Sequence, residues 1–329
     1  MKKYVAALLA LMFAFTACAA QEDAAKRSAV GFYFDTVVSI TAYTDDAQLL
    51  DRALEQCQKY EQLLSKTIEG SDVWNINHAQ GQPVAVAQET LEVLEIAQYV
   101  SGLSQGAFDV TIAPAVSLWD FAAEDPVLPD GEALAQAAAL ADYTKLVIED
   151  GMVTLPADMQ IDLGGVAKGY IADQIAQFLR DNGVTSALLN FGGNVVTVGE
   201  KPDGQGPWRV GIQNPDQSRG AYLLAVTATD MAVVTSGIYE RGFDLDGVRY
   251  HHLLDPETGW PVQNELSSVT IFAERSGLAD ALSTATFVLG TEAGMAMIEA
   301  LDGVEAIFVT RDEQILATSG AAALVVSNG

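Results

Sequence analysis

The sequence predicts an α+β fold, arranged as a single two-lobed domain of mixed sheets and helices. Short alternating strands and amphipathic helices follow one another without a regular βα repeat, a pattern typical of this class. No repeat, low-complexity block or clear linker interrupts residues 31–329. Half of the 329 residues are apolar, which is enough for a sizeable core.

The N-terminal segment has the pattern of a lipoprotein signal peptide at residues 1–17. Two lysines precede an apolar run at 4–15, which is shorter than the ~20 residues of a membrane-spanning helix. The sequence Thr-Ala-Cys that follows resembles a lipobox, so we expect Cys18 to be acylated and to become the mature N-terminus. An ordinary signal peptide with an incidental cysteine is the alternative. Residues 18–30 are predicted to be a tether. The protein is therefore expected to be exported and lipid-anchored to the cell membrane, on its periplasmic or outer face.

The first half of the domain predicts one strand, three helices and a hairpin. Residues 31–43 alternate apolar and polar side chains, with Phe32 and Phe34 on the apolar face, and predict one half-buried strand. Apolar spacing predicts helices at 46–64, 90–103 and 131–141, and a hairpin is predicted around Glu-Asp-Gly at 149–151. Cys57 falls on the apolar face of the first helix and is predicted to be inert core.

The second half alternates strands with three further helices. A glycine pair at 164–165 opens a helix that runs to Arg180 and is closed by Asn-Gly. Two more helices are predicted at 278–289 and 291–301. Strands are predicted at 186–189, 195–198, 208–212, 222–227, 248–253, 268–272 and 306–309.

Five clusters are rich in glycine, aspartate and small polar residues, at 106–111, 161–170, 190–194, 251–259 and 280–285. In the second cluster, glycines let a ligand approach the backbone, and the free N–H groups of a helix start suit an anion. Lys168, one turn into that helix, adds a cation. A plain tight turn is the structural alternative.

Two of these clusters carry residues suited to acid–base and metal chemistry. His251 and His252, two of the chain's three histidines, lie at a strand end, where a histidine is a candidate proton acceptor. Asp280 and Thr284 are four residues apart on a predicted helix, so a carboxylate and a hydroxyl share one face and suit Mg²⁺. The alternatives are an ordinary turn after the histidines and a helix start with a buried hydroxyl.

The charge balance restricts the partners. The chain has 17 Lys+Arg and 44 Asp+Glu, a formal net charge of −27. A surface this acidic repels nucleic acid and anionic lipid. An anionic substrate therefore requires a metal ion or a few placed cations, although the charge is also explained by solubility alone.

Four segments occur in an order that closely resembles the ApbE family of FAD:protein FMN transferases. They are Asp-Leu-Gly-Gly-x-Ala-Lys-Gly, Gly-Gly-Asn, His-x-Leu-Asp-Pro-x-Thr-Gly and Asp-x-x-Ser-Thr-Ala. The resemblance extends from about residue 34 to about residue 301. It implies a nucleotide site between the two lobes.

The resemblance also implies roles for particular residues. It makes His252 the catalytic base, and it assigns the metal to the Gly165 carbonyl, Asp280 and Thr284. The residues implied to contact the flavin nucleotide are Ala107, Phe108, Asp109, Asp162, Lys168 and Leu254. Residues 236–241 match a further family segment, Ser-Gly-x-Tyr-Glu-Arg, that borders the site. The family's Met-Gly-Thr is Phe-Asp-Thr in this chain, so stacking on the flavin ring is expected from Phe34 or from Trp74.

The activity that the resemblance implies is Mg²⁺-dependent transfer of FMN from FAD to a Ser or Thr hydroxyl of an exported acceptor protein, with release of AMP. Two alternatives remain at this point. Water in place of the hydroxyl would make the protein an Mg²⁺-dependent FAD pyrophosphatase. A flavin-binding, solute-binding lipoprotein would carry the same export signal but show no turnover.

Overall fold

The described residues, 24–215, 217 and 220–326 of a computed structural model, contain strands and helices that alternate irregularly along the chain. The strands are β1 (Lys26–Tyr33), β2 (Thr36–Tyr43), β3 (Val84–Ala85), β4 (Val147–Glu149), β5 (Met152–Thr154), β6 (Ala187–Phe191), β7 (Asn194–Val198), β8 (Trp208–Gln213), β9 (Tyr222–Ala228), β10 (Ala232–Gly237), β11 (Gly242–Leu245), β12 (Val248–His251), β13 (Leu266–Ala273), β14 (Glu305–Thr310) and β15 (Ile315–Ala317). The helices are α1 (Leu49–Leu64), α2 (Asp72–His78), α3 (Gln88–Leu103), α4 (Ala113–Val116), α5 (Gly131–Ala138), α6 (Ala167–Asp181) and α7 (Ser276–Glu299). This mixture confirms the predicted α+β fold.

An eight-stranded antiparallel sheet organises the described part of the chain, in the order β1-β2-β6-β7-β10-β13-β14-β15. Helices α1, α6 and α7 pack on one face of this sheet and on each other. The main core lies between them and includes Ile40, Ile175 and Phe287, each fully buried. Helix α7 is long and apolar enough to cross a membrane, but it packs against β10 and β13 and is largely buried, as a core helix is.

The opposite face of the sheet is covered in its middle by the β8–β9 hairpin. A second apolar cluster fills that interface and includes Val195, Ile212 and Val226. A third cluster lies around α4, α5 and the β11–β12 hairpin, where Trp119 packs against Trp260 and Phe243. The third cluster packs the β11–β12 hairpin, which ends at His251, against the segments around α4 and α5.

The prediction of a single strand at 31–43 is wrong, because the chain forms a hairpin of two strands there. Phe34 and Asp35 have φ values of 55° and 56°, so they form a two-residue turn between β1 and β2. The turn reverses which side chains face the core. Phe32, predicted on the apolar face, is consequently 67% exposed. Strand β1 begins at Lys26, so part of the segment predicted as a tether lies in the sheet.

Most other predicted elements are confirmed, with shifts of a few residues at their ends. The two helices predicted near residue 290 form α7, whose backbone breaks at Gly290 with φ 77° and ψ −178°. The Asn264 amide donates to the Phe287 carbonyl at 2.7 Å, and Glu265 accepts from the Thr291 N–H at 2.9 Å, so both sides of the break are capped. Strand β10 was not predicted, although its Ala-Val-Val start has the apolar run of a buried central strand.

Candidate flavin-nucleotide site

Hydrogen bonds fix the first part of the loop before α6, at residues 161–164. The Asp162 N–H donates to the Val110 carbonyl at 2.8 Å, and the Asn77 side chain bonds both main-chain groups of Ile161, at 2.7 and 2.9 Å. The Gly164 N–H donates to Asp162 Oδ1 at 2.8 Å. Helix α6 begins at Ala167, two residues after the predicted glycine opening, and the N–H groups of Val166 and Ala167 donate to the Leu163 carbonyl at 3.0 and 2.8 Å.

Two lysines flank that loop. The Lys168 ammonium donates to the Gly164 carbonyl at 2.8 Å. The Lys66 ammonium lies 2.7 Å from Asp162 Oδ2. Lys66 was missed at the sequence level, because the Ser-Lys-Thr that follows α1 has no motif around it. Each lysine lies beside a carboxylate, Lys66 beside Asp162 and Lys168 beside Asp280, so this loop has placed cations in a protein of net charge −27.

Helices α6 and α7 cross closely beside the loop, in a region called here the α6–α7 crossing (Lys168, Gly169, Asp280 and Thr284). The Gly169 N–H donates to Asp280 Oδ2 at 2.9 Å, and Lys168 Nζ lies 3.6 Å from the same oxygen. A Cβ at position 169 would come within 2.2 Å of the Ser276 carbonyl oxygen, so only glycine allows this approach. The buried Asp280 carboxylate is therefore fixed in place by α6.

Hydroxyl groups extend the crossing toward β10. Thr284 Oγ1 lies 3.4 Å from Ser236 Oγ, which is 2.7 Å from Ser283 Oγ. A Cβ at Gly165 would be 3.7 Å from Thr284 Oγ1 and 2.9 Å from the Phe108 ring. Gly165, Asp280 and Thr284, predicted as metal ligands, are thus brought into one neighbourhood with Phe108.

The donor atoms at the crossing fit Mg²⁺. Among the hydrogen bonds and ion pairs of the described residues, none uses Asp280 Oδ1, and Asp280 Oδ2 faces Lys168 and Gly169. One carboxylate, one hydroxyl and a nearby carbonyl are hard oxygen ligands, and Mg²⁺ completes such a shell with phosphate and water. No group of three His, Cys, Asp or Glu residues forms a metal cluster in residues 24–215, 217 and 220–326. The carboxylate-poor set at the crossing therefore suits a cation shared with a phosphate.

The loop at 104–111 meets Tyr143 at a second buried carboxylate, and this region is called the Asp109 junction. Asp109 Oδ1 accepts from the Thr111 N–H at 2.8 Å and from the Thr111 hydroxyl at 2.7 Å, while Oδ2 accepts from the Tyr143 N–H at 2.9 Å. Burial raises the pKa of Asp109, and the bonds from Thr111 and Tyr143 oppose that rise. Asp109 thus holds the loop that carries Ala107 and Phe108.

His251 and His252 have different environments at the end of β12. His251 is fully buried, its Nε2 lies 3.1 Å from the Val262 carbonyl oxygen, and burial lowers its pKa to about 4. The half-buried His252 has its Nδ1 at 3.3 Å from the Arg241 carbonyl oxygen. Desolvation by the surrounding protein lowers the pKa of His252 to about 3, with the cations Lys168 and Arg241 contributing. Lys168 is thus one of the charges that act on the His252 ring.

The predicted flavin-stacking residues lie at two different places. Phe34 is in the β1–β2 turn, where its N–H donates to Glu61 Oε1 at 2.7 Å. The same turn approaches His252, because Arg241 Nη2 donates to the Asp35 carbonyl at 3.4 Å. Trp74 instead stacks on His78, with ring centroids 4.0 Å apart. The position of the β1–β2 turn therefore favours Phe34 over Trp74 as the residue that would stack on the flavin ring.

Leu254 and the residues after it form a capped turn. Leu254 is buried in the third apolar cluster and forms an isolated bridge with Pro261. Asp255 Oδ1 accepts from the Glu257 N–H at 2.9 Å, and Oδ2 accepts from the Thr258 hydroxyl at 3.0 Å. This turn fixes the direction in which the chain leaves His252. Cys18 lies outside the described residues, and the predicted core residue Cys57 is fully buried, with its thiol pKa raised to about 12 by burial.

Comparisons with known proteins agree with this arrangement. Residues 34–308 match the ApbE family. The chain is 35% identical over 286 residues to the FAD:protein FMN transferase of Klebsiella pneumoniae, covering 86% of this chain and 88% of that protein. It is 37% identical over 287 residues to the FAD:protein FMN transferase of Treponema pallidum, covering 82% and 79%.

Solved structures resemble the chain over almost its whole length. The ApbE protein of Thermotoga maritima superposes with a TM-score of 0.84 at 30% identity, covering 92% of this chain and 100% of that one. The flavin transferase ApbE of Vibrio cholerae superposes with a TM-score of 0.82 at 29% identity, covering 91% and 100%.

Proposed function

The chain belongs to the ApbE family, and from that membership we propose that it is an enzyme that transfers the FMN part of FAD to an acceptor protein. The observation that carries the proposal is the α6–α7 crossing. There a glycine loop, a helix start, Lys168 and a partly unengaged buried carboxylate meet, and Lys168 is one of the charges that act on His252. In so acidic a protein an anionic pyrophosphate needs placed cations, which Lys168 and a metal ion bound at Asp280 would supply.

FAD is the substrate of the proposed reaction. Lys66 and Lys168 would neutralise part of the charge of its pyrophosphate; Asp162 would orient Lys66, and the Gly164 carbonyl would orient Lys168. Phe34 is proposed to stack on the flavin ring. Ala107 and Phe108 would line the nucleotide pocket, and Leu254 would offer a backbone contact. Because the Asp109 carboxylate is engaged with Thr111 and Tyr143, we expect it to act by holding the loop and not by direct contact.

Mg²⁺ is proposed to be held by the Gly165 carbonyl, Asp280 and Thr284. When bound there, it would supply Lewis-acid stabilisation of the phosphate charge. Gly169 and Lys168 fix the orientation of the Asp280 carboxylate. A carboxylate held in this way would fix the position of the phosphate that shares the metal, and so the position of the FMN phosphorus.

His252 is proposed to accept the proton of the attacking hydroxyl. Its Nδ1 faces the Arg241 carbonyl oxygen, which requires a proton on Nδ1 and leaves Nε2 free as the acceptor. The lowered pKa keeps the ring neutral, and a bound pyrophosphate beside it would raise that pKa toward neutrality. The hydroxyl oxygen of a Ser or Thr then bonds to the FMN phosphorus, the bond from that phosphorus to the AMP oxygen breaks, and AMP leaves.

The test is incubation of the purified protein with FAD, Mg²⁺ and candidate exported redox subunits. Covalent FMN is read by in-gel flavin fluorescence, and AMP is measured with and without each subunit. We expect AMP release to depend on an acceptor subunit that becomes fluorescent. AMP released equally without any acceptor would identify a pyrophosphatase, and FAD binding without turnover would identify a binding protein.

Export and lipid anchoring are proposed from the N-terminal sequence. We expect Cys18→Ser to move the protein from the membrane to the soluble fraction, because the apolar run at 4–15 is too short to span a bilayer. Fractionation of cells that express each form measures this. A variant that stays membrane-bound would contradict the anchor.

A further inference from the structure

The β1–β2 hairpin carries an exposed apolar surface that the FAD site does not use. Val30 and Phe32 on β1 are each 67% exposed, and Val37 on β2 is 52% exposed. Phe32 lies directly opposite Val37 in the antiparallel register, and Val30 is the next residue along β1 on the same face. The three side chains are therefore one continuous surface, called here the hairpin patch.

The strand that carries the patch is also an edge strand. Within residues 24–215, 217 and 220–326, β1 pairs only with β2. In a two-residue hairpin the flanking pair, Tyr33 and Thr36, exchanges hydrogen bonds, and every second pair after it does the same. The main-chain N–H and C=O groups of Val30 and Phe32 consequently point away from β2, toward the free edge. A long, flat edge of this kind is a template for another strand.

The patch has a polarity gradient that runs toward the proposed catalytic histidine. At the far end of the same face, the Ser28 and Thr41 hydroxyls bond each other at 2.9 Å, and Lys26 lies beyond them. At the near end, Phe32 adjoins the turn whose Asp35 carbonyl accepts from Arg241. The Arg241 carbonyl in turn accepts from the His252 N–H at 3.2 Å.

The gradient distinguishes between possible occupants. A surface that rests on the membrane should be most apolar at the end of β1 that is nearer along the chain to the proposed anchor at Cys18, which is the Lys26 end. The observed order is the reverse, because the apolar side chains are concentrated beside the site. The occupant that fits is therefore a macromolecule that must reach His252.

We propose that the acceptor protein docks on the hairpin patch, adding an extended segment to the free edge of β1 so that its Ser or Thr is presented to His252. This inference rests on the proposed function, because it names the surface that would receive the proposed acceptor. Main-chain bonds to the edge would supply affinity, and the apolar side chains of the patch would supply an anchor.

The test compares Phe32→Thr and Val30→Pro with the unaltered full chain, purified in detergent. Phe32→Thr removes the anchor but keeps a β-branched strand former, and Val30→Pro removes one edge-facing N–H. The matched control is Ile315→Thr, which alters a 46% exposed side chain on β15, the opposite edge of the same sheet. The probes are the acceptor protein identified by the fluorescence screen and, for acceptor-independent chemistry, AMP release to water.

We expect each hairpin variant to raise KM for the acceptor protein by about tenfold, with kcat and AMP release to water unchanged. The control should change neither quantity. An unchanged KM in Phe32→Thr and Val30→Pro, with thermal midpoints equal to that of the unaltered chain, would overturn the docking surface alone. A rise in KM that appears only in phosphatidylglycerol vesicles would also overturn it, because the patch would then meet lipid. If the unaltered chain transfers no FMN to any acceptor, the proposed function fails, and this inference fails with it.

Discussion

The α6–α7 crossing and the Asp109 junction each contain a buried aspartate, but the two carboxylates are engaged differently. At the junction both oxygens of Asp109 accept hydrogen bonds from the loop they hold. At the crossing Asp280 Oδ2 accepts from Gly169 beside Lys168, and no described residue bonds its Oδ1. Burial alone therefore does not identify a ligand-binding carboxylate. An unengaged oxygen beside a placed cation is the more informative feature.

The two histidines at the end of β12 each have one ring nitrogen facing a carbonyl oxygen, and they differ in their surroundings. The His251 ring is enclosed by protein, bonded to the Val262 carbonyl and packed edge-on against Phe287 at 5.9 Å. The His252 ring is half-buried and within electrostatic reach of Lys168. One position along the chain thus separates a structural side chain from a proposed catalytic one, because successive side chains of a strand face opposite sides.

The largest effect is expected from His252→Ala, which tests the contrast directly. Loss of a positioned general base lowers a rate by about 10²- to 10⁴-fold, so FMN transfer should fall by that factor while FAD binding stays nearly normal. Single-turnover transfer and FAD titration measure the two quantities. The paired variant, His251→Gln, should retain transfer. Equal losses of transfer in both variants, accompanied by equal drops in thermal midpoint, would show that the two histidines have the same structural role.

A somewhat smaller loss is expected from Asp280→Asn. This substitution keeps an oxygen that can accept from Gly169 but removes the charge proposed to bind Mg²⁺, so transfer should fall by about 10²-fold or more. The transfer rate is measured across an Mg²⁺ titration, and higher Mg²⁺ should restore part of it. An Asp280→Asn protein with full Mg²⁺-dependent transfer would place the metal elsewhere.

The sequence predicts those elements of the molecule that are determined by residues close together along the chain. Helical spacing predicts α1, and glycine-rich motifs predict the loop before α6 and both ends of that helix. The hairpin at Phe34 and Asp35 was missed because both residues adopt positive φ without glycine, and such turns carry little sequence signal.

Tertiary position explains the other differences at the site. The engagement of Asp109 depends on Tyr143, and the place of Lys66 depends on Asp162, so each is set by packing between distant segments. No local pattern in a single sequence encodes those distances. The predicted cluster residues nevertheless meet, since Gly165, Asp280 and Thr284 lie on elements that cross at Gly169.

At the junction, Asp109→Ala should destabilise the fold. It leaves the buried N–H of Thr111 and the N–H of Tyr143 without their acceptor, which costs about 2–4 kcal/mol of unfolding free energy. Urea denaturation measures the loss. Asp142→Ala is the matched control, because Asp142 caps the adjacent turn at the surface through Thr144, and removing such a cap costs about 1 kcal/mol. If Asp109→Ala is as stable as the control but no longer binds FAD, the carboxylate belongs to the site and the contrast with Asp280 fails.

The smallest effect concerns the pH dependence of stability that the buried His251 produces. Desolvation lowers its folded-state pKa to about 4, below the ordinary value of 6.5 that the unfolded chain retains. Between those two values the unfolded state binds a proton that the folded state does not, so the free energy of unfolding falls as the pH falls. This contribution to the free energy of unfolding is fully present above pH 6.5 and is lost progressively toward pH 4. At 1.36 kcal/mol per pKa unit, the loss between pH 7 and pH 4.5 is about 2 kcal/mol. Urea denaturation of the unaltered chain and of His251→Gln at those two pH values isolates it, since His252 and the carboxylates are common to both proteins. The unaltered chain should lose about 2 kcal/mol more than the variant on acidification. Equal losses would mean that His251 accepts a proton in the folded state and that its ring is not enclosed by protein as the structure indicates.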